Sequence, residues 1–363
     1  MPGDNPTVLV TGVSGNLGLR LLPLLADYRV IGVDLNPPET THPLRFVQMD
    51  FGVEQSCRQL LLLLREARPI AVIHLAFVID PVRTGVLDLE RMWQINVAGT
   101  ARVMEAISEA NRDEAIISKF LFPSSVSVYG PDYPEPAKEE SRLAAHTLPY
   151  AVHKMECDKV VQQRAPGLRA CSVYMLRPHI FAGATVENYL LGAFRGTPNG
   201  PGKRAAKLRA ENKRLPAMLP YGRRYLENKI QFVHVDDMAR LLAYIVHKTE
   251  PESQRLTLLN VAGRGEPLTF RECIETANGK FIRVPGKWTF SLVLKMMWKL
   301  GISAIPPAAL PYMTGQYIMS TDRLQSFLGD DYENVIRYSV RDAFADSFAS
   351  TAPALAQQSA VAH

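Results

Sequence analysis

A glycine cluster, Thr11-Gly12-Val13-Ser14-Gly15-Asn16-Leu17-Gly18, joins the apolar run Thr7-Val8-Leu9-Val10 to a helical pattern through Leu17, Leu21, Leu22 and Leu25. Nothing else in the chain restricts its fold as strongly. Glycine is needed where backbone turns sharply, where it must approach a pyrophosphate, and where a helix packs close to the strand before it. The helix then presents free N–H groups and the positive end of its dipole to phosphate oxygens. A second strand, Arg29-Val30-Ile31-Gly32-Val33-Asp34, completes a βαβ unit and ends on an acid 16 residues past the last glycine. Such a carboxylate accepts hydrogen bonds from both hydroxyls of an adenosine ribose and repels a 2′-phosphate. No Lys or Arg stands in Asp34-Leu35-Asn36-Pro37-Pro38 to receive that phosphate. NAD, rather than NADP, is the predicted cofactor.

The alternation continues with a strand at 45–49, a helix at 53–66, the apolar strand 70–75, a helix at 88–110, a strand at 119–122, a helix at 148–165 and a strand at 170–176. Strands that are apolar on both faces and alternate with helices require a parallel sheet covered on both sides. The expected fold is therefore α/β: a doubly wound parallel sheet of the Rossmann type at 1–180, with a smaller C-terminal α/β substrate lobe at 181–349. Segments within 230–262 are expected to return to the main sheet, and 350–363, rich in Ala, Ser and Gln, reads as a disordered tail.

Composition narrows the class further. With 363 residues, 47% of them hydrophobic, the chain can bury a large core, which excludes disorder or a disulfide scaffold as its description. A net charge of +5 is small for this size and does not suggest nucleic-acid binding. Cys57, Cys157, Cys171 and Cys273 are scattered without a C-x-x-C pair, so no metal site is predicted and a reducing cytoplasm fits. Residues 1–6 carry no positive n-region and no apolar run of secretory length. The predicted partner is a small-molecule substrate, with a homodimer as one option for assembly.

Tyr150 and Lys154 stand at i and i+4 and share one helix face. A neighbouring ammonium favours phenolate, lowering the tyrosine pKa and turning a poor base into a usable one. Phe122-Pro123-Ser124-Ser125-Val126-Ser127-Val128-Tyr129-Gly130 follows a buried strand, which brings a serine hydroxyl to the carboxyl edge of the sheet, where ligands bind in such folds.

Taken in order, these residues resemble the extended short-chain dehydrogenase/reductase family, also called the NAD-dependent epimerase/dehydratase family. The resemblance runs from residue 7 to about 345 through the 11–18 loop, Asp34, Asp50-Phe51, His74-Leu75-Ala76, Asn96-Val97-Ala98-Gly99-Thr100, the Ser124–Gly130 run, Tyr150/Lys154, Arg177-Pro178 and Phe232-Val233-His234-Val235-Asp236-Asp237. It implies that Tyr150 is the general acid/base, that Lys154 holds the nicotinamide ribose while lowering the Tyr150 pKa, and that Ser125 bonds the reacting oxygen. It also implies cofactor contacts from Gly12, Gly15, Asn16, Leu17 and Gly18, from Asp50 to the adenine amino group, from Phe51 at the adenine edge, and from Ala76. Asn96 would steady the helix and cofactor region, and Pro178 would border the carboxamide. Hydride chemistry belongs to the cofactor; the protein supplies orientation and electrostatics.

Substrate identity is less legible. Sugar-nucleotide members commonly carry an Arg-Asp pair before Phe232, where this chain has Lys229-Ile230-Gln231. Residues 195–229 hold ten Lys/Arg against Glu211 and Glu227, which reads as a solvated segment or as a handle for an anionic substrate. Trp288, Phe290, Leu292, Val293, Leu294, Met296, Met297, Trp298, Leu300 and Ile302 form an apolar helical stretch too short to span a bilayer. It reads as core, with a greasy pocket wall or a membrane-surface contact as further options. His153 is turned away from the Tyr150/Lys154 face, and His234 reads as a core or capping residue. The first expectation is an NAD-dependent oxidoreductase of a hydrophobic secondary alcohol or ketone. A sugar-nucleotide epimerase or dehydratase is the alternative. A non-catalytic NAD sensor is the third reading, and it has no use for a phenolate.

Overall fold

The computed structural model describes residues 5–79, 88–248 and 256–349. Its centre is a seven-stranded sheet with neighbours paired in parallel throughout, in the order β3-β2-β1-β4-β5-β6-β11. The strands are β1 (Thr7–Thr11), β2 (Arg29–Asp34), β3 (Arg45–Gln48), β4 (Ala71–His74), β5 (Lys119–Pro123), β6 (Ser172–Pro178) and β11 (Leu256–Val261). Between them run α1 (Asn16–Leu21), α2 (Ser56–Ala67), α3 (Leu89–Trp93), α4 (Gly99–Ala110) and α5 (Pro149–Arg164). The helix expected at 88–110 is interrupted by a π turn over Gln94–Ala98, which separates α3 from α4.

Both faces of β1 are buried, and its residues alternate between two cores. Val8 and Val10 join Leu21, Leu25, Leu241 and Ile245 on one side. Leu9 joins Leu60, Leu64, Val103 and Val161 on the other. Each such Leu or Val contributes about 1.5–3 kcal/mol by leaving water, which explains why unbroken apolar runs encode these strands.

After Pro178 the chain builds a lobe from short elements, β7 (Ile180–Ala182), α6 (Tyr189–Arg195), α7 (Lys203–Ala210), β8 (Ala217–Pro220), α8 (Arg223–Glu227), β9 (Lys229–Ile230) and β10 (Phe232–His234), before α9 (Val235–Lys248) packs back on α1 and the main sheet. Beyond β11 follow β12 (Leu268–Thr269), α10 (Phe270–Thr276), β13 (Phe281–Val284) and α11 (Gly286–Lys299). The strand read at 230–233 is two strands broken at Gln231. Neither returns to the main sheet, since β10 pairs with β7 and β9 with β12; among the described residues of 230–262 the returning strand is β11. Gln231 explains the break: its amide donates to Met319 O (3.2 Å) and its carbonyl accepts from Met319 N (2.8 Å), tying the strands to the 316–319 segment. Among the described residues no helix is long and apolar enough to cross a membrane. The tail at 350–363 lies outside the described residues.

Candidate active site

The 11–18 loop sits at the carboxyl end of β1, beside β4, where the strand order reverses. Gly12 has φ +70°, and a Cβ there would come within 2.5 Å of Ala76 N. One on Gly18 would meet Val13 O at 2.5 Å. Backbone contact on both sides of the loop therefore admits only hydrogen at these positions. Gly15 precedes α1 without any side-chain cap, so the first N–H groups of α1 remain available to phosphate oxygens. At the end of β2, Asp34 accepts from Ser14 N (3.0 Å) and Leu35 N (2.7 Å), which fixes its carboxylate beside the loop. This glycine cradle, uncapped helix start and anchored acid fit a dinucleotide.

Other expected contacts occupy different surroundings. Asp50 accepts from Gly52 N (2.8 Å) and pairs with Arg91 of α3. Phe51 is buried, its ring edge-on to His74 at 5.8 Å, so the side chain faces the core. Asn16 is exposed; it donates to Thr185 O (3.0 Å) and accepts from Arg20 (3.0 Å). Leu17 is partly buried between the core that holds Val8 and Val10 and the cluster around Phe194 and Phe232, and Pro178 is buried at the end of β6. Asn96, in the π turn, spends its amide on Val78, accepting from its N–H (2.7 Å) and donating to its carbonyl (3.0 Å).

A latch unforeseen from sequence supports the loop. The Thr100 hydroxyl donates its proton to Asn96 O (2.6 Å), so His74 Nε2 must donate to Thr100 (3.2 Å) and His74 Nδ1 must accept from Thr11 (2.7 Å). Thr11 in turn accepts from Ala76 N (3.2 Å). Burial, together with Lys154, pushes His74 down to about 3 and keeps it neutral.

At the end of β5 a tight turn over Val126–Tyr129 opens with Ser125 as its cap. Ser125 Oγ accepts from both Ser127 N (3.2 Å) and Ser127 Oγ (3.0 Å), so its own proton is directed to the Tyr150 oxygen. Lys154 Nζ donates to Pro123 O (2.7 Å) and stands 3.7 Å above the Phe77 ring, which is itself edge-on to Tyr150 at 5.9 Å. Tyr150 thus shares the Phe77 ring with Lys154 and its oxygen with Ser125, at the carboxyl edge of the sheet.

One electrostatic expectation is corrected. Burial raises the Tyr150 pKa, and the opposing influence is the Ser125 hydrogen bond, not Lys154. The ammonium is turned to Pro123 and Phe77, and burial lowers Lys154 to about 8. One turn further along α5, Asp158 accepts from Ser124 Oγ (3.0 Å) and from Arg177 Nε (2.9 Å), both partners buried. Tyr150, Lys154 and Asp158 form a stripe at spacing four, the one signal that could have flagged Asp158 from sequence.

His153 is buried against Trp93 (ring centroids 5.3 Å), its Nδ1 3.3 Å from Asn96 Nδ2, and His234 caps α9 by accepting from Asp236 N (3.1 Å). The basic segment is largely solvated: Lys207 and Lys213 flank Glu211, and Arg224 lies 3.7 Å from Asp132. In the lobe a narrow apolar cleft enclosing about 70 Å³ is lined by Phe194, Leu219, Ile274, Phe290, Leu294 and Met297 among others. The inner face of α11 therefore walls a pocket. Trp298, expected there too, is 47% exposed and points elsewhere. Neither Ser125, Tyr150 nor Lys154 lines this cavity.

The signature of the NAD dependent epimerase/dehydratase family matches residues 8–262. UDP-glucose 4-epimerase of Erwinia amylovora is 29% identical over 107 residues, which is 30% of this chain and 30% of that protein. UDP-glucose 4-epimerase of Thermus thermophilus, solved with NAD, superimposes with a TM-score of 0.63 over 95% of this chain and all of its own, at 19% identity. The dTDP-glucose 4,6-dehydratase of Bacillus anthracis, also with NAD, gives 0.63 over 94% and 95% at 17% identity. At these identities the superpositions speak for the fold.

Proposed function

The chain belongs to the NAD-dependent epimerase/dehydratase family, and from that premise we propose that it acts on a sugar nucleotide, oxidising one ring carbinol and later reducing the product carbonyl. The family match over residues 8–262 carries this reading, and the epimerases and the dehydratase among its relatives support it over the hydrophobic alcohol first expected. Residues 1–180 would hold the cofactor and the 181–349 lobe the substrate.

NAD, when bound, supplies the two-electron oxidation and reduction. The chain's own residues manage the proton. Ser125 would orient the reacting hydroxyl, with its acceptor positions already filled by Ser127. Tyr150 would take the hydroxyl proton and return it, a step that requires phenolate in a site where burial disfavours it. Lys154, held between Pro123 O and Phe77, brings the positive charge that can offset this penalty once it faces the phenol. Asp34 would accept from the adenosine ribose, and the 11–18 loop would receive the pyrophosphate.

A second reading, a hydrophobic substrate, is favoured by one observation: the cavity against α11 is walled by apolar side chains. Purified protein with NAD, offered UDP-glucose and dTDP-glucose and followed by proton NMR of the sugar ring, separates the two. Conversion at the ring supports the proposal. Failure with every sugar nucleotide, alongside net reduction of NAD by sterol-like or acyl alcohols, would overturn it in favour of the second reading.

A further inference from the structure

Helix α11 has two apolar faces. Phe290, Leu294 and Met297 face inward, yet Trp288, Leu292 and Met296, at i, i+4 and i+8, are exposed, Trp288 by 78%. Leu300 continues the stripe, and Ile282 of β13, the strand that leads into α11, is exposed as well. Lys295 and Lys299 lie one turn apart within the same outward face. A solvated helix face ordinarily mixes charges of both signs and shows few large apolar groups.

The charge around this face is predominantly positive. From Thr276 to Thr321 the sequence has no Asp or Glu, but five cations: Lys280, Arg283, Lys287, Lys295 and Lys299. The start of α7, with exposed Lys203, Arg204 and Lys207, is fastened to the end of α11, since Gly202 N donates to Gly301 O (2.9 Å) and Gly200 N to Ile302 O (3.1 Å). Residues 195–229 and 276–321 together carry a net +13 in a chain of net +5, which leaves −8 on everything else.

We propose that the outer face of α11, with its basic surroundings, docks the protein on the surface of an anionic lipid bilayer. At 14 residues the helix is roughly 21 Å long, short of a span, and its geometry suits lying in the interfacial plane. Trp288, Leu292 and Met296 enter the boundary between headgroups and acyl chains. The stems of Lys295 and Lys299 pass along them and deliver their ammonium groups to lipid phosphates. The negative remainder of the molecule is repelled by the same surface, so the charge separation sets which side faces the membrane. This inference does not depend on which substrate the active site takes.

Flotation of the full chain, with NAD present, on vesicles of phosphatidylcholine containing about 30% phosphatidylserine tests it, with pure phosphatidylcholine as the comparison. Expected are binding to the anionic vesicles, little to the neutral ones, and release at about 0.5 M salt. Trp288→Ser with Leu292→Gln and Met296→Gln, and separately Lys295→Glu with Lys299→Glu, should each weaken binding on the order of ten-fold or more while calorimetric NAD affinity stays unchanged. A blue shift of tryptophan emission on binding, lost in Trp288→Phe, marks insertion. Absence of binding to anionic vesicles overturns the proposal. So does unweakened binding by the apolar triple variant, which would reduce the effect to surface charge. A dimer seen by light scattering in the parent and lost in that variant, without vesicle binding, would assign the face to self-association instead.

Discussion

Replacing Arg177 with Met removes the guanidinium from a buried junction that holds the floor of the catalytic edge. Its Nε and Nη2 donate to Asp158 (2.9 and 3.3 Å), and Nη1 donates to the Tyr129 hydroxyl (2.7 Å) and Glu139 O (2.8 Å). Burial works against the charge, but Asp158 and Tyr129 outweigh it and hold the guanidinium above its ordinary pKa. Methionine fills similar volume without a donor, leaving Asp158 with Ser124 Oγ at 3.0 Å. Breaking one side of a buried pair costs about 3–5 kcal/mol, a large share of the roughly 5–15 kcal/mol that holds a domain folded. The lower end is expected, because burial already pushes the Asp158 carboxyl up and it will take a proton once Arg177 is gone. A raised carboxyl pKa makes the folded state bind more protons than the unfolded one, so the variant should recover stability relative to the parent as pH falls from about 7.5 to about 5.5. Urea unfolding at both values measures this. Asp158→Leu added to Arg177→Met removes both charges and should restore at least about 1–2 kcal/mol. A single-variant loss below about 1 kcal/mol, or a double variant as unstable as the sum of its parts, would refute the argument.

The other expectations concern the site more directly. Tyr150→Phe should lower kcat on the order of a hundred- to ten-thousand-fold while NAD affinity by calorimetry stays near the parent's; a variant that keeps most of its rate removes Tyr150 as the acid/base. Lys154→Met should move the rising limb of the rate–pH profile to higher pH, as the proposed turn of the ammonium toward the phenol in the loaded site requires; an unmoved limb means the ammonium stays on Pro123 O and Phe77 during turnover. Asp34→Ala should weaken NAD and relax its preference over NADP in parallel titrations, and tighter NADP binding by the unmodified protein would contradict the assigned role. Burial pushes His74 and His179 down to about 3 from 6.5, so the unfolded chain takes up the protons first. Stability should therefore fall as pH drops below about 6.5 toward 3, by up to about 1.4 kcal/mol per pH unit for each histidine, and a flat urea midpoint between pH 7 and 5 would contradict this.

Much of the main sheet was legible because its information is local. Val8 through Val10, Ile31 through Val33 and Val72-Ile73 are apolar on both faces, and only a strand covered on both sides hides them. The lobe was less legible: β9, β10 and β12 are two or three residues long, too short for a period to register, and their partners lie far away in the chain. The break at Gln231 depends on Met319, 88 residues on, and no local pattern announces it. Trp298 and Met297 are adjacent and equally apolar, yet one meets water and the other a cavity, because successive helix residues point about 100° apart.

The sequence by itself determined the glycine loop, the acid at the end of β2 and the Tyr150/Lys154 stripe, because backbone sterics and helix spacing act within a few residues. Tertiary structure alone decided the electrostatics. Lys154 was expected to lower the Tyr150 pKa, but the fold turns its ammonium to Pro123 O and the Phe77 ring, while burial governs the phenol. Thr11, His74 and Thr100 likewise become one proton-ordered latch only when β1, β4 and α4 pack together. A pKa and a hydrogen-bond direction depend on what surrounds an atom in space, and in this sheet those neighbours come from strands and helices distant in sequence.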